Sequence, residues 1–378
     1  MRKITFITGT RADFGKLKSL ITILQNDPKY HVDVFATGMH LNTMYGGTID
    51  EIHKSGIKNV FPYINHSSIE HMDRTLAKTV DGLSLFVETH QPDLIVVHGD
   101  RAEALAGSIV GSLNNILVAH IEGGEVSGTI DELIRHAVSK MSHIHFVAND
   151  EAKGRLIQLG EYEQAIHVIG SPDLDLMRPS NLPELGYVKR WYDIPFEHYA
   201  MAILHPVTTE HEQTREQARQ FVDGLIESKK NYIVVYPNND LGSNEIIDEY
   251  KRIKCHKNFR VFPSIRFEFF LKLLEQSEFI IGNSSCGIRE APYYNIPAID
   301  LGNRQKNRCS LPSIHNCPCE ANHMLEALKL LPVMRRNAQH ATDKPFGTGD
   351  SDARFKTVLD STSFWETGKQ KYFQDLVG

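Results

Sequence analysis

At 378 residues the chain is long for one domain, and two domains of ordinary size, each able to bury its own core, are expected. With 41 Lys and Arg against 47 Asp and Glu the net charge is -6, which argues against a nucleic-acid partner and leaves small phosphorylated ligands to local basic groups. The N-terminal residues lack the apolar run of a signal peptide, no stretch approaches a membrane span, and five scattered cysteines make no disulfide framework, so a soluble, cytoplasmic protein is expected.

Residues 3–8 read as a buried strand, and Gly9-Thr10-Arg11-Ala12-Asp13-Phe14-Gly15-Lys16 as the turn into a helix over 17–25. The turn resembles a phosphate loop but fails its pattern. Five residues separate the glycines, and Leu17 stands where a Ser or Thr would hold magnesium, which speaks against a nucleoside triphosphatase. Arg11 and Lys16, at a strand end beside a helix start, are candidates for anion binding, against the plainer reading of two solvated cations. A second strand covers 31–37. A helix over 72–90 carries Leu76, Val80, Leu83, Phe86 and Val87 on one side. The apolar run 93–97 then delivers His98-Gly99-Asp100-Arg101 to a strand end, where Asp100 is either a helix cap or a reactive carboxylate.

Strand 116–119 runs into the most densely charged stretch of the chain, from His120-Ile121-Glu122-Gly123-Gly124-Glu125 to Ile130-Asp131-Glu132-Leu133-Ile134-Arg135-His136. Four carboxylates, one Arg and two His follow a strand end, which is where a parallel α/β sheet opens to its ligand. Ile130, Leu133, Ile134, Ala137, Val138 and Met141 recur at helical spacing and are expected to be the buried face of a helix. Thr129 and Glu132 match a capping box, so Glu132 reads as a cap, whereas Glu122, before two glycines, and Asp131 read as chemistry.

Strands at 144–148 and 165–169 flank a helix over 150–159 and close on Gly170-Ser171-Pro172-Asp173. The weakly periodic, proline-containing segment 177–195 reads as a linker. The alternation then restarts, with a strand at 199–204, a helix at 209–228 and strands at 232–236 and 259–262. The pattern implies an α/β protein of two Rossmann-like domains, with parallel sheets facing across a cleft. Residues 1–176 form the first and 196–354 the second, and a partly helical segment 355–378 is expected to pack back on the first.

The second half has polar strand ends of its own, His205-Pro206-Val207-Thr208-Thr209 and Pro237-Asn238-Asn239-Asp240. Its strongest signal is Gly282-Asn283-Ser284-Ser285-Cys286-Gly287-Ile288-Arg289-Glu290, a Gly/Ser turn that starts a helix and offers amides and two hydroxyls to a phosphate, with Glu290 placed to accept from ribose hydroxyls. Arg304 ends a further short strand. Cys309, His315, Cys317 and Cys319 crowd together, but their spacing differs from that of paired CxxC ligands and Pro318 hinders a tetrahedral site, so no metal is expected.

Taken together, Gly9-Thr10-Arg11, His98-Gly99-Asp100-Arg101, His120-Ile121-Glu122-Gly123-Gly124-Glu125, the strand end at His205 and the turn from Gly282 to Glu290 resemble the UDP-N-acetylglucosamine 2-epimerase family. The likeness is greatest to its hydrolysing bacterial branch, which makes N-acetylmannosamine for sialic acid synthesis. Ala12-Asp13 stand where the non-hydrolysing branch has Pro-Glu, and Gly123-Gly124-Glu125 where it has an Ala-Gly loop. The resemblance implies a GT-B fold with UDP held mainly by the C-terminal half and the sugar facing the N-terminal half. It implies nucleotide or phosphate contacts at Arg11, His205, Asn238, Ser284, Ser285, Glu290 and Arg304, and a catalytic set of Asp100, Glu122, Asp131, Arg135 and His205. Lys16, Arg101 and Gly287 join the expected substrate contacts.

The chemistry implied is loss of the proton at sugar carbon 2 with expulsion of UDP, then addition of water to the resulting 2-acetamidoglucal. That reaction needs a base, an acid on the other face and stabilisation of the departing diphosphate. No cofactor is implied, and the expected partners are UDP-N-acetylglucosamine, UDP and further copies in a homodimer or homotetramer. The alternatives are the same reaction on UDP-2,4-diacetamido-2,4,6-trideoxyglucose, a GT-B glycosyltransferase, and a UDP-sugar sensor without catalysis.

Overall fold

The short apolar runs pair into two parallel sheets. β1 (Arg2–Thr8), β2 (Tyr30–Ala36), β3 (Val60–Pro62), β4 (Leu94–His98), β5 (Leu117–Ile121), β6 (Ile144–Val147) and β7 (Ile166–Val168) make one, in the order β3-β2-β1-β4-β5-β6-β7. β8 (Ala200–Ile203), β9 (Tyr232–Val235), β10 (Phe259–Phe262), β11 (Ile280–Gly282), β12 (Ala298–Leu301) and β13 (Ile314–Cys317) make the other, in the order β10-β9-β8-β11-β12-β13. The computed structural model describes residues 1–378 apart from 42–47, 66–70, 127–129, 208–211, 238–241, 306–310, 341–343, 345 and 376–378, and apart from the side chains of Arg11 and Ala12.

The central strands, such as β4, β8 and β9, are largely apolar because each sheet is covered on both faces. Successive residues point to opposite sides. Thus Ile4 and Phe6 of β1 enter one core while Ile7 enters another, and Leu94 and Val96 of β4 part from Ile95 and Val97 in the same way. In the second sheet Ala200 and Ala202 are divided from Met201 and Ile203. The strand order reverses between β1 and β4 and between β8 and β11, the places where open α/β sheets admit ligands.

By its contacts the chain divides into one unit of Met1–Leu176 with Pro345–Gly378 and another of Met177–Lys344. Two expectations need correction. Residues 177–195 are not a free linker: helix Leu185–Trp191 lies within them, and Val188 and Ile194 are buried in a core of the second unit. The chain re-enters the first unit at 345 rather than 355. There Phe355 and Leu359 of helix Ser351–Asp360 are fully buried beside Phe6 and Phe146.

Helix Ile130–Met141 also presents a different face from the one its spacing suggests. Ile134, Arg135, Val138 and Ser139 are buried, while Ile130 and Leu133 are 53% and 66% exposed. An arginine takes a core-facing position because it has a carboxylate to meet there, as described below. No helix among the described residues is long and apolar enough to cross a membrane.

Candidate active site

In the first unit the candidate residues gather at the C-terminal ends of β1, β4, β5 and β7. Glu122, one residue past β5, has a left-handed backbone with φ of 60°, a conformation that costs a non-glycine residue on the order of 1–2 kcal/mol and persists only where its surroundings impose it. Its N–H donates to the Phe146 carbonyl at 2.8 Å, and its side chain is turned inward, with the residue only 6% exposed. Lys16 Nζ reaches both carboxylate oxygens, at 2.9 and 2.8 Å, His98 Nε2 lies 3.1 Å from Oε2, and the Ser171 hydroxyl donates to Oε1. Lys16 is shared with Asp173, 3.3 Å away.

Asp100, two residues past β4, forms an ion pair with the buried Arg135. The same guanidinium donates to the Glu125 carbonyl at 3.1 Å, and Arg155 donates to the Gly124 carbonyl at 3.1 Å, so two arginines pin the Gly-Gly-Glu loop. β4 and β5 are neighbours with His98 opposite Ile121, which puts Asp100 and Glu122 on adjacent strand ends. Asp131 is half-buried, one helical turn before Arg135 on the same helix.

Behind them, His120 Nε2 lies 2.8 Å from the Gly99 carbonyl and Nδ1 lies 3.1 Å from Ser139 Oγ. The carbonyl can only accept, so Nε2 carries the proton and Nδ1 accepts from the serine. Burial, aided by His145, pushes its pKa down to about 3, which keeps the imidazole neutral.

The turn after β1 behaves differently from expectation. Asp13 accepts from the amides of Gly9 and Thr10 at 2.9 and 3.0 Å and from Thr8 Oγ1 at 2.6 Å, and it completes a capping box with Thr10. These donors are filled by the protein's own carboxylate. Lys16, expected among the substrate contacts, is instead held between Glu122 and Asp173, and Arg101 lies 3.6 Å from the buried Glu103.

In the second unit Asn283 clamps the two strand ends at the order reversal. Its Oδ1 accepts from His205 N at 2.7 Å and its Nδ2 donates to the His205 carbonyl at 2.8 Å, while Arg304 and Gln305 donate to the Asn283 carbonyl at 3.1 and 3.0 Å. Gly282, with φ of 138°, lets β11 approach β8: a Cβ there would run into the Ile203 carbonyl. The expected helix is smaller than its sequence suggests. Ser285–Gly287 form a 3₁₀ turn and Glu290–Tyr293 a single helical turn, ended by the left-handed Asn295. The amides of Gly287, Ile288 and Arg289 bond back to Ser284 and Ser285, which commits Gly287 to the turn and leaves the N–H groups of Ser284, Ser285 and Cys286 outside those bonds. Ser284, Ser285, Glu290 and Arg304 are half-buried in this corner.

The family model described as UDP-N-acetylglucosamine 2-epimerase matches residues 22–360. A curated UDP-N-acetylglucosamine 2-epimerase of Neisseria meningitidis serogroup B is 44% identical over 379 residues, covering 100% of both chains. The chain belongs to the UDP-N-acetylglucosamine 2-epimerase family. Within that family, a hydrolysing UDP-N,N'-diacetylbacillosamine 2-epimerase of Legionella pneumophila is 34% identical over 82% of this chain and 83% of its own length. The fold is that of a UDP-GlcNAc 2-epimerase from Neisseria meningitidis crystallised with UDP-GlcNAc, with a TM-score of 0.80, 18% identity, and coverage of 96% of this chain and 100% of that one.

In this family member the strand ends named from the sequence also carry residues that the sequence did not single out. Asn238, the side chain of Arg11, Thr208-Thr209 and Thr129 of the expected capping box lie outside the described residues. His98, Ser171, Asp173 and Asn283 were not singled out. Each follows or ends a strand that does carry a candidate or closes the same sheet, so strand-end position was the signal available.

Proposed function

We propose that the chain hydrolyses UDP-N-acetylglucosamine to UDP and N-acetylmannosamine. The observation that carries this reading is the pair of carboxylates on adjacent strand ends, each with its own cation: Asp100 with Arg135, and Glu122 with Lys16. Two carboxylates differing in partners and burial can hold protons with different affinity, which a reaction that removes one proton and returns another requires. In the first step the proton at carbon 2 passes to a protein base while the carbon 1–oxygen bond breaks and its electron pair leaves with UDP. In the second, water adds its oxygen to carbon 1 and carbon 2 takes a proton on the opposite face, giving the manno sugar.

Asp100, Glu122 and Asp131 are the proton-transfer groups of this scheme, and Arg135 fixes the Asp100 carboxylate. His205, Ser284, Ser285 and Arg304 receive the diphosphate and Glu290 the ribose, with the amides of the 284–286 turn as anion donors. The hydrolysing outcome is supported by the Legionella relative, whose name carries that activity. The same relative favours one second reading, a 2,4-diacetamido sugar on the nucleotide.

Chromatography of the products from each UDP-sugar decides the substrate. UDP-N-acetylglucosamine is expected to give free N-acetylmannosamine and UDP. Asp100→Asn, Glu122→Gln and Asp131→Asn each should fold normally and lose turnover by a factor of about 100 or more. Near-normal rates in all three would sink the proposal.

A further inference from the structure

Ser171 and Asp173 sit on the segment that follows β7, 49 and 51 residues away in sequence from Glu122. We propose that they are positioning residues that set the proton affinity of Glu122 from opposite sides, Ser171 by donating to its carboxylate and Asp173 by competing for its cation. The proposal rests on Glu122 being a proton-transfer residue, as argued above, but concerns how its charge is governed.

Among the described residues, three elements bring side chains to the carboxylate. Lys16 comes from helix Arg11–Gln25, His98 from the end of β4, and Ser171 from beyond β7, while neutral His120 lies two residues back on β5. Asp173 touches Lys16 at 3.3 Å, longer than the 2.8 and 2.9 Å by which the same ammonium reaches Glu122. Lys16 is therefore divided between two buried acids and leans toward one. A donated hydroxyl favours the ionised carboxylate, and a second anion beside the shared cation disfavours it.

The placement of the two side chains is fixed by backbone rather than left to a loop. Ser171 is fully buried, and its N–H donates to the Phe346 carbonyl at 2.7 Å, on the segment where the chain re-enters the first unit. Asp175, two residues past Asp173, accepts from Ser19 Oγ and from the amides of Ser351 and Asp352 at 2.8, 2.8 and 2.9 Å. The segment is thus fastened both to helix Arg11–Gln25, which carries Lys16, and to helix Ser351–Asp360.

The test is carbon-13 NMR of the full chain labelled at the glutamate side-chain carboxyl, with Glu122 identified as the resonance lost in Glu122→Gln. Ser171→Ala is expected to raise its titration midpoint by about one pH unit, the scale of one hydrogen bond to a charged group. Ser171→Cys keeps the side-chain volume with a weaker donor and gives a smaller rise. Asp173→Asn is expected to lower the midpoint. In the reaction with UDP-N-acetylglucosamine, the limb of the kcat profile that belongs to Glu122 follows the midpoint, upward in Ser171→Ala and downward in Asp173→Asn. Midpoints unmoved in both Ser171→Ala and Asp173→Asn, or moved in one direction by both, would overturn the proposal. A chain that turns over no UDP-sugar would defeat the function proposed above, and the NMR midpoints would still decide this one.

Discussion

Glu103 is a charged residue type with almost no solvent. It is 5% exposed, one carboxyl oxygen has no hydrogen-bond partner among the described residues, and Arg101 is 3.6 Å away. Burial raises its pKa, opposed by Arg101. Its carboxyl packs so close to Gly9 that a Cβ there would lie 2.7 Å from Oε1. A carboxyl whose burial disfavours its charge holds this turn by shape and polarity, so Glu103→Gln should keep the melting temperature and turnover near wild type, whereas Glu103→Ala opens a cavity and lowers stability by about 2–3 kcal/mol. Equal losses in both, measured by thermal melts and initial rates, would mean that the charge itself is needed. In the sequence Glu103 looks like an ordinary acid in a helix's first turn, because nothing local tells that two strand ends close over it.

Loops and helices were legible in proportion to how local their causes are. The central strands and longer helices followed from apolar runs and periodicity, whereas the short edge strands β3 and β13 and the helices at 49–54 and 321–340 were not read from the sequence. The helix at 130–141 was placed correctly but its face was not, since Arg135 is buried by a carboxylate 35 residues earlier rather than by its neighbours. The turn at 284–290 looked like a helix start because its serines and glycine suit one, and the left-handed Asn295 ends the helix after a single turn. Two glycines test this level directly. Gly124, with φ of 75°, faces the Ala152 carbonyl, and Gly154 has open space within the helix Asp150–Gln158. Gly124→Ala is expected to displace the loop that Arg155 and Arg135 pin, lowering stability by about 1–3 kcal/mol and turnover with it. Gly154→Ala should stabilise by about 0.5–1 kcal/mol with turnover intact. Denaturant midpoints of the two variants, compared side by side, would contradict this if they shifted alike.

Across the whole molecule, buried titratable groups make the fold sensitive to acid. His120 is held neutral with a pKa of about 3, and burial lowers His143, His145 and His167 as well. Once unfolded, these groups take up protons near 6.5, so below that pH the unfolded chain binds more protons and stability falls as the pH drops toward 3. Glu161 acts in the same sense further down. Against the cost of burial, hydrogen bonds from His145 and from Lys371 of the C-terminal segment hold it to about 2. Asp175 and Asp300, raised to about 6 by burial, oppose this between pH 6 and 4 but are fewer. Stability should therefore decline below pH 6.5, and His120→Gln should remove up to about 1.4 kcal/mol per pH unit from that slope. Urea unfolding at a series of pH values checks it, and an unchanged slope would count against a neutral His120.

At this scale the alternation of strands and helices, the two sheets and the family were all readable from the chain. What was not readable is who meets whom across long separations: Ser171 and Glu122, Asp175 and Ser351, Lys371 and Glu161. Pairings of that kind arise from sheet order and chain return, which no local pattern encodes.

In the proposed reaction Asp100, Glu122 and Asp131 exchange protons at carbon 2 as the nucleotide departs. Proton NMR of the reaction of the intact chain with UDP-N-acetylglucosamine in deuterated water tests it most directly. UDP and free N-acetylmannosamine carrying deuterium at carbon 2 are the expected products. Free N-acetylglucosamine with its carbon 2 proton retained, or a UDP-sugar recovered unchanged, would contradict it.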